Sequence, residues 1–327
     1  MDLQRSINMN KSAVLALDIG GTNIRIALVS EEGIIIDRSQ SPCLISEGRN
    51  AFLAAIGATL NEIVRSATMS EIRLVAVGAG VPGLINLSGE IISSVNLKPL
   101  DGFDLRSWLE FSTGLPAVIL NDANAAAVAE QNYGAGRPYR SFLHFTLGTG
   151  VGSGLVLDGK LWTGRDGIAA EYGHTTVEPE GHRCECGNLG CLEQYASATA
   201  IARIAKEKIG AGAKSLLSGI PIETLDAYDV ASAAGQGDPL ALECFRVAGR
   251  YLGIAVASAV NMLNLEAVII GGGVAASFDL IEPVIREEVE RRAFSLPASR
   301  VRLLKGELGD NAGIMGAAAS GWKLAEK

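Results

Sequence analysis

Residues 16–28 read ALDIGGTNIRIAL: two apolar, strand-like runs joined through Gly20-Gly21-Thr22-Asn23, with a carboxylate, Asp18, near the end of the first run where a core side chain is expected. The pattern predicts strand, glycine turn, strand. Backbone N–H groups of such a turn can bind phosphate, because a missing Cβ lets the ligand approach closely and lets the chain adopt conformations other residues avoid. A carboxylate beside a phosphate cradle is unfavourable unless a cation lies between them. Asp18 therefore fits a Mg²⁺ ligand, direct or through water, with Gly20, Gly21, Thr22 and Asn23 on the phosphates. Taken alone, the stretch is equally compatible with an ordinary tight β-turn.

The same arrangement recurs at residues 141–162, SFLHFTLGTGVGSGLVLDGKLW, whose turn holds Gly148, Thr149 and Gly150. Aligning Asp18-Ile-Gly-Gly-Thr with Thr146-Leu-Gly-Thr-Gly suggests an internal duplication. Neither turn is a P-loop: GxxxxGK[ST] is absent, and each turn leads into a strand where a P-loop, like a dinucleotide-binding GxGxxG, leads into a helix. A third glycine cluster, Gly271-Gly272-Gly273, follows a strand at 267–270 and precedes a helix at 280–292. Between these lie a helix at 50–66, a strand at 74–77 running into GAGVPG, a hairpin turning at Ser88-Gly89, and a short strand at 117–120 that ends in Asn121-Asp122-Ala123-Asn124 with a helix from about 125. Residues 198–263 read as mostly helical, with a break at 210–221. The 327 residues suit two domains. The expected division is a small α/β domain at 11–125, joined by a terminal helix at 312–327 packing back on it, and a larger α/β domain at 126–311.

Composition removes several function classes. A net charge of -8 and no Lys/Arg cluster leave no electrostatic basis for nucleic-acid binding, so any nucleotide is bound as a small molecule. The apolar run before Asp18 is too short for a signal peptide, and residues 251–262 are too short and too interrupted to span a bilayer, so a cytoplasmic protein without membrane contact is expected.

Asp122 stands at a strand-to-helix junction, where ligand clefts of α/β sheets occur. An aspartate there can take the proton of a hydroxyl attacking a phosphoryl group. It can equally cap the following helix, unless Asn121 or Asn124 does so. Three of the five cysteines, Cys184, Cys186 and Cys191, fall within eight residues of a turn-rich loop. With one imidazole they complete a closed, structural Zn²⁺ shell, a better use of thiols in a reducing compartment than disulfides. His182 is too near Cys184 for comfortable chelation, so His174 is the expected fourth ligand and 174–191 the zinc loop. Cys43 and Cys244 read as packed thiols.

The motifs Asp18-Ile-Gly-Gly-Thr, Gly148-Thr-Gly-Val-Gly and Gly271-Gly-Gly-Val, in this order, resemble the phosphate-1, phosphate-2 and adenosine motifs of the sugar kinase, Hsp70 and actin superfamily. Glu171-x-Gly-His174 followed by CxCGxxGCxE is similar to the signature of the ROK family within it. That resemblance implies an actin-like (ribonuclease H-like) α/β ATPase fold of two domains with an interdomain cleft. It implies ATP, Mg²⁺ and structural Zn²⁺ as cofactors, and a hexose facing Asn96, Asn121, Asp122, Glu171, His174 and Glu193, with Asp122 as the general base. A homodimer, or a tetramer, is implied as well. The expected activity is that of an ATP-dependent hexokinase, most simply a glucokinase. N-acetylglucosamine, N-acetylmannosamine, mannose, fructose and allose present hydroxyls that the same groups would recognise. The rival is a sugar-responsive ROK repressor, which carries a helix-turn-helix domain ahead of the sugar-binding body; the 17 residues before Asp18 are too few for one. A chaperone or filament protein of the wider superfamily fits the zinc loop poorly.

Overall fold

The computed structural model describes residues 12–326 and divides into two compact units. The first holds the described residues up to Arg137, Leu161–Ala169, and those from Asp310 on; the second holds Pro138–Lys160 and Ala170–Gly309. The expected boundary at 125/126 falls inside a helix that remains whole in the first unit.

In the first unit β1 (Ser12–Ile19), β2 (Asn23–Val29), β3 (Ile35–Pro42), β4 (Arg73–Val81) and, beyond the small strands β5 (Leu84–Ile85), β6 (Glu90–Ser93) and β7 (Phe103–Asp104), β8 (Ala117–Asn121) are present. The large sheet has the order β3-β2-β1-β4-β8, and β5, β6 and β7 make a small sheet of their own. β2 runs antiparallel to β1 and β3, while β4 and β8 run parallel to β1. A second large sheet holds β9 (Phe142–Leu147), β10 (Val151–Leu157), β11 (Lys160–Leu161), β12 (Ala267–Gly271) and β13 (Arg302–Lys305) in the order β11-β10-β9-β12-β13. The two five-stranded sheets share one strand order. Asp18 of β1 pairs with Gly80 of β4, and Thr146 of β9 pairs with Gly271 of β12, so the two motif residues hold equivalent sheet positions, each beside a glycine.

Helices α1 (Arg49–Met69), α2 (Leu105–Thr113) and α3 (Asp122–Tyr133) belong to the first unit, and α4 (Glu193–Ala196), α5 (Ala198–Gly210), α6 (Ala227–Gly235), α7 (Pro239–Leu263), α8 (Phe278–Arg292) and α9 (Ser295–Arg300) to the second. The last helix, α10 (Ala312–Ala325), returns to the first.

Period-two alternation explains how β1 serves two layers. Ala13, Leu15, Leu17 and Ile19 join the core with Phe52, Ile56, Leu60 and Ile63 of α1 and Leu105 and Leu109 of α2. Val14, Ala16 and Asp18 lie on the other face, which small residues leave open to α10: a side chain on Gly321 would strike Val14, and one on Gly313 would strike Asp18. β4 extends four residues beyond the expected 74–77, through Gly78-Ala79-Gly80-Val81. Its glycines serve close approach rather than a turn, since any Cβ on Gly78 would overlap the carbonyl of Ala317. Gly78→Ala is expected to cost about 3 kcal/mol, as overpacked cores do, read as a lower urea midpoint without a change in slope.

Candidate active site

The fold brings one group of the expected residues to the carboxyl ends of β1, β4 and β8. Asp18 precedes the β1–β2 turn, in which Gly20 N–H donates to Asn23 C=O at 2.9 Å while Gly21, Thr22 and Asn23 face solvent. Asn96 lies against this turn, its Cβ 3.4 Å from where a Cβ on Gly21 would stand. Neither Gly20 nor Gly21 has a left-handed φ; among the glycines of the three expected nucleotide motifs only Gly272 does, at +80°. At Gly20 and Gly21 the missing side chain serves approach alone.

Asp18 has Arg25 Nη1 3.7 Å from its Oδ2, and its side chain is 21% exposed. Burial raises its carboxyl above the usual aspartate range, Arg25 opposes the rise and Asp122 adds to it. The two carboxylates thus repel each other across one strand-end edge, where a divalent cation would reverse the sign of the interaction. Asp18→Asn is expected to raise the thermal midpoint near neutral pH while abolishing nucleotide-dependent turnover. The sign follows from linkage: an acid whose folded-state pKa is raised destabilises the fold above that pKa.

At the β8–α3 junction the alternative of a capping Asp122 is answered by its neighbour. Asn121 Oδ1 accepts from Ala123 N–H at 2.9 Å and Asn124 N–H at 3.1 Å, and its Nδ2 donates to Gly83 C=O at 3.0 Å. Asn121 is the cap. Asp122, the first helical residue, accepts from Ala123 N–H through Oδ1 and keeps surface open to solvent. Desolvation raises its carboxyl above the ordinary value, more than the hydrogen bonds lower it. Solvent on its open side limits that rise.

In the second unit the β9–β10 turn is closed by Gly148 N–H donating to Gly150 C=O at 3.0 Å, and is tied to the start of α5. Ala198 N–H reaches Gly148 C=O at 2.8 Å and Thr199 Oγ1 donates to Thr149 C=O at 2.8 Å. Gly272 lies against the backbone of Leu147, so the second and third glycine motifs are neighbours. Glu193 accepts from Val151 N–H at 3.0 Å and lies 3.9 Å from Cys184 Sγ, and Gly150 leaves room for its carboxylate. Its carboxylate is thus turned to the glycine turn and to the thiols. Sequence reasoning missed this, because Glu193 and Val151 are 42 residues apart.

The ligand atoms of His174, Cys184, Cys186 and Cys191 all lie within 4.8 Å of one another. His174 Nδ1 and Cys184 Sγ are 3.6 Å apart, as are Cys186 Sγ and Cys191 Sγ. Thiolates about 2.3 Å from a zinc ion stand about 3.8 Å apart at tetrahedral angles, so the donor set fits Zn²⁺. Burial, followed by the neighbouring thiols, pushes Cys191 up to about 12, a penalty on the thiolate that a bound cation would reverse. His182 is not part of this cluster, and its Nε2 meets Arg203 Nη1 at 3.0 Å. Asn188, which carried no sequence signal, reaches Cys191 Sγ at 3.4 Å and His174 C=O at 3.2 Å, bracing the knuckle.

Comparison with known proteins gives this arrangement its context. The model of the ROK family matches residues 14–322. The glucokinase of Halalkalibacterium halodurans is 37% identical over 321 residues, covering 96% of this chain and 95% of that protein. A ROK family glucokinase from Streptomyces griseus, solved in complex with glucose and AMPPNP, superposes with a TM-score of 0.80 at 33% identity, covering 95% of this chain and 99% of the other. A ROK family transcriptional regulator, homologous to the E. coli MLC protein, superposes at 0.89 with 28% identity, covering 97% of this chain and 79% of that one. The α/β architecture matches ROK sugar kinase structures of the actin-like ATPase fold, as the motifs implied. With its nucleotide-type glycine turns, its strand-end carboxylates and its Cys₃His knuckle, the chain belongs to the ROK family.

Proposed function

We propose that this ROK protein is an ATP-dependent hexose kinase of the glucokinase type, transferring the γ-phosphoryl group of ATP to the 6-hydroxyl of glucose. The observation that carries the reading is the placement of Asp122: relieved of capping by Asn121, open to solvent on one side, and on the strand-end edge that also holds Asp18. The glucokinase relatives support the substrate pair. In the reaction a lone pair of the 6-hydroxyl oxygen attacks the γ-phosphorus as the proton passes to the Asp122 carboxylate. The bond to the β,γ-bridging oxygen breaks and leaves ADP.

On this reading Gly20, Gly21, Thr22, Asn23, Gly148, Thr149, Gly150, Gly271, Gly272 and Gly273 contact ATP, mostly through backbone N–H groups. Asp18 would hold Mg²⁺, which supplies charge neutralisation to the phosphates. Asn96, Asn121, Glu171, His174 and Glu193 pair with sugar hydroxyls. His174 turns Nδ1 toward Cys184, which leaves Nε2 for a hydroxyl; His174, Cys184, Cys186 and Cys191 would hold Zn²⁺, which would fix the ring. A cytoplasmic homodimer is part of the proposal; among the described residues no helix is long and apolar enough to cross a membrane.

A second reading, a sugar-responsive regulator, is favoured by the likeness to the MLC-type protein. A coupled ADP-release assay over a panel of hexoses separates the two. Turnover with glucose preferred bears out the proposal, preference for another hexose moves the substrate, and hexose binding without turnover on any sugar favours the regulator.

A further inference from the structure

The backbone around Glu171 is unusual. Ala170 has φ +69°, in the left-handed region that an alanine enters only at a cost. Glu171 follows with φ -73° and ψ 54°, and Tyr172 N–H donates to Ala170 C=O at 2.7 Å. Together these make an inverse γ-turn centred on Glu171. Ser153, in the middle of β10 and 6% exposed, reaches both sides of it. Its hydroxyl donates to Ala170 C=O and accepts from Tyr172 N–H at 3.0 Å. One hydroxyl thus grips the two peptide groups that flank Glu171. Beyond it, Tyr172 OH donates to Ala255 C=O at 3.1 Å, and Gly173 lies so close to Val151 C=O that no side chain would fit. The strand ladder itself requires no hydroxyl at position 153, which is flanked by Gly152 and Gly154.

We propose that Ser153 is a positioning residue for hexose recognition: its hydroxyl locks the turn from Ala170 to Tyr172 and thereby sets the direction in which Glu171 presents its carboxylate to the sugar. The proposal rests on the reading of Glu171 as a hexose ligand. A left-handed alanine persists only where its surroundings over-determine it, and the two hydrogen bonds of Ser153 supply that constraint. Without them Ala170 relaxes toward negative φ, and the direction of Glu171 is no longer set by the turn. Lost preorganisation of this kind appears in hexose affinity.

The test compares Ser153→Ala, Ala170→Gly, Glu171→Ala and the Ser153→Ala/Glu171→Ala double variant in the full chain, by steady-state kinetics and thermal melting. Ser153→Ala is expected to raise the hexose KM about tenfold, with kcat and the KM for ATP within about twofold. Ala170→Gly is expected to raise the hexose KM about threefold while the melting temperature holds or rises, because glycine relieves the left-handed φ. A role limited to fold stability would not weaken binding in a protein of equal or greater stability. With Glu171 removed, Ser153→Ala should add no more than about twofold. An unchanged hexose KM in both Ser153→Ala and Ala170→Gly, or a Ser153→Ala effect that persists in full without Glu171, overturns the positioning role and leaves the kinase reading standing. An unchanged KM in Glu171→Ala overturns the sugar contact beneath it. Should the wild type bind hexose without turnover, the same comparison is read on dissociation constants by calorimetry.

Discussion

Asp122→Asn is expected to lower kcat about a thousandfold, the usual scale for removing a positioned general base, while the hexose KM moves only a few-fold and the melting temperature does not fall. The kinetic half follows from chemistry: an amide cannot accept the hydroxyl proton, yet keeps the shape and one acceptor of the carboxylate. The stability half follows from Asn121, which supplies the helix cap through Ala123 and Asn124, so the variant loses no cap. Desolvation already disfavours the ionised Asp122. Its removal relieves a penalty present above the folded-state pKa, and stability near neutral pH holds or rises. The wild-type activity should also carry an acid limb. Turnover falls as pH drops through the pKa of Asp122, at a higher pH than an ordinary aspartate near 3.8 would set. A melt showing a large stability loss with turnover retained would return Asp122 to a capping role.

Cys191→Ala is expected to empty the knuckle and lower the melting temperature by about 8 °C or more, corresponding to about 3 kcal/mol in a unit of this size. Cys191 is fully buried and its sulfur closes the donor set with His174, Cys184 and Cys186. Metal analysis should find about one zinc per chain in the wild type and almost none in the variant. Hexose affinity should fall with the metal, since His174 would lose its fixed orientation. Wild-type protein that is free of zinc and melts at the same temperature as Cys191→Ala would remove the zinc argument.

Sequence and structure agree most closely where local chemistry decides. The two glycine hairpins, the equivalent sheet positions of Asp18 and Thr146, and the gathering of His174 with the three cysteines were all legible, because turn residues and close sequence spacing act over short distances. The end of β4 was not. Gly78 and Gly80 lay beyond the expected strand end at 77, yet their lack of side chains admits α10, a partner more than 230 residues away that no local pattern reveals. The limits of the first unit were hidden for a related reason. Residues 161–169 belong to it because Gly167 lies against the backbone of the β5–β6 hairpin. The hydroxyl of Ser153 likewise reads as a polar residue among glycines until the backbone it grips is seen.

The placement of α10 has a consequence for biosynthesis. The helix that covers the Val14–Ala16–Asp18 face of the first sheet begins about 290 residues after the end of β1, so it leaves the ribosome long after that strand. Until α10 emerges that face lacks the helix that packs on it, so the nascent glycine-lined sheet is shielded by solvent-excluding helpers or stays loosely formed. Loss of α10 by truncation or proteolytic trimming is therefore expected to loosen the first unit as a whole.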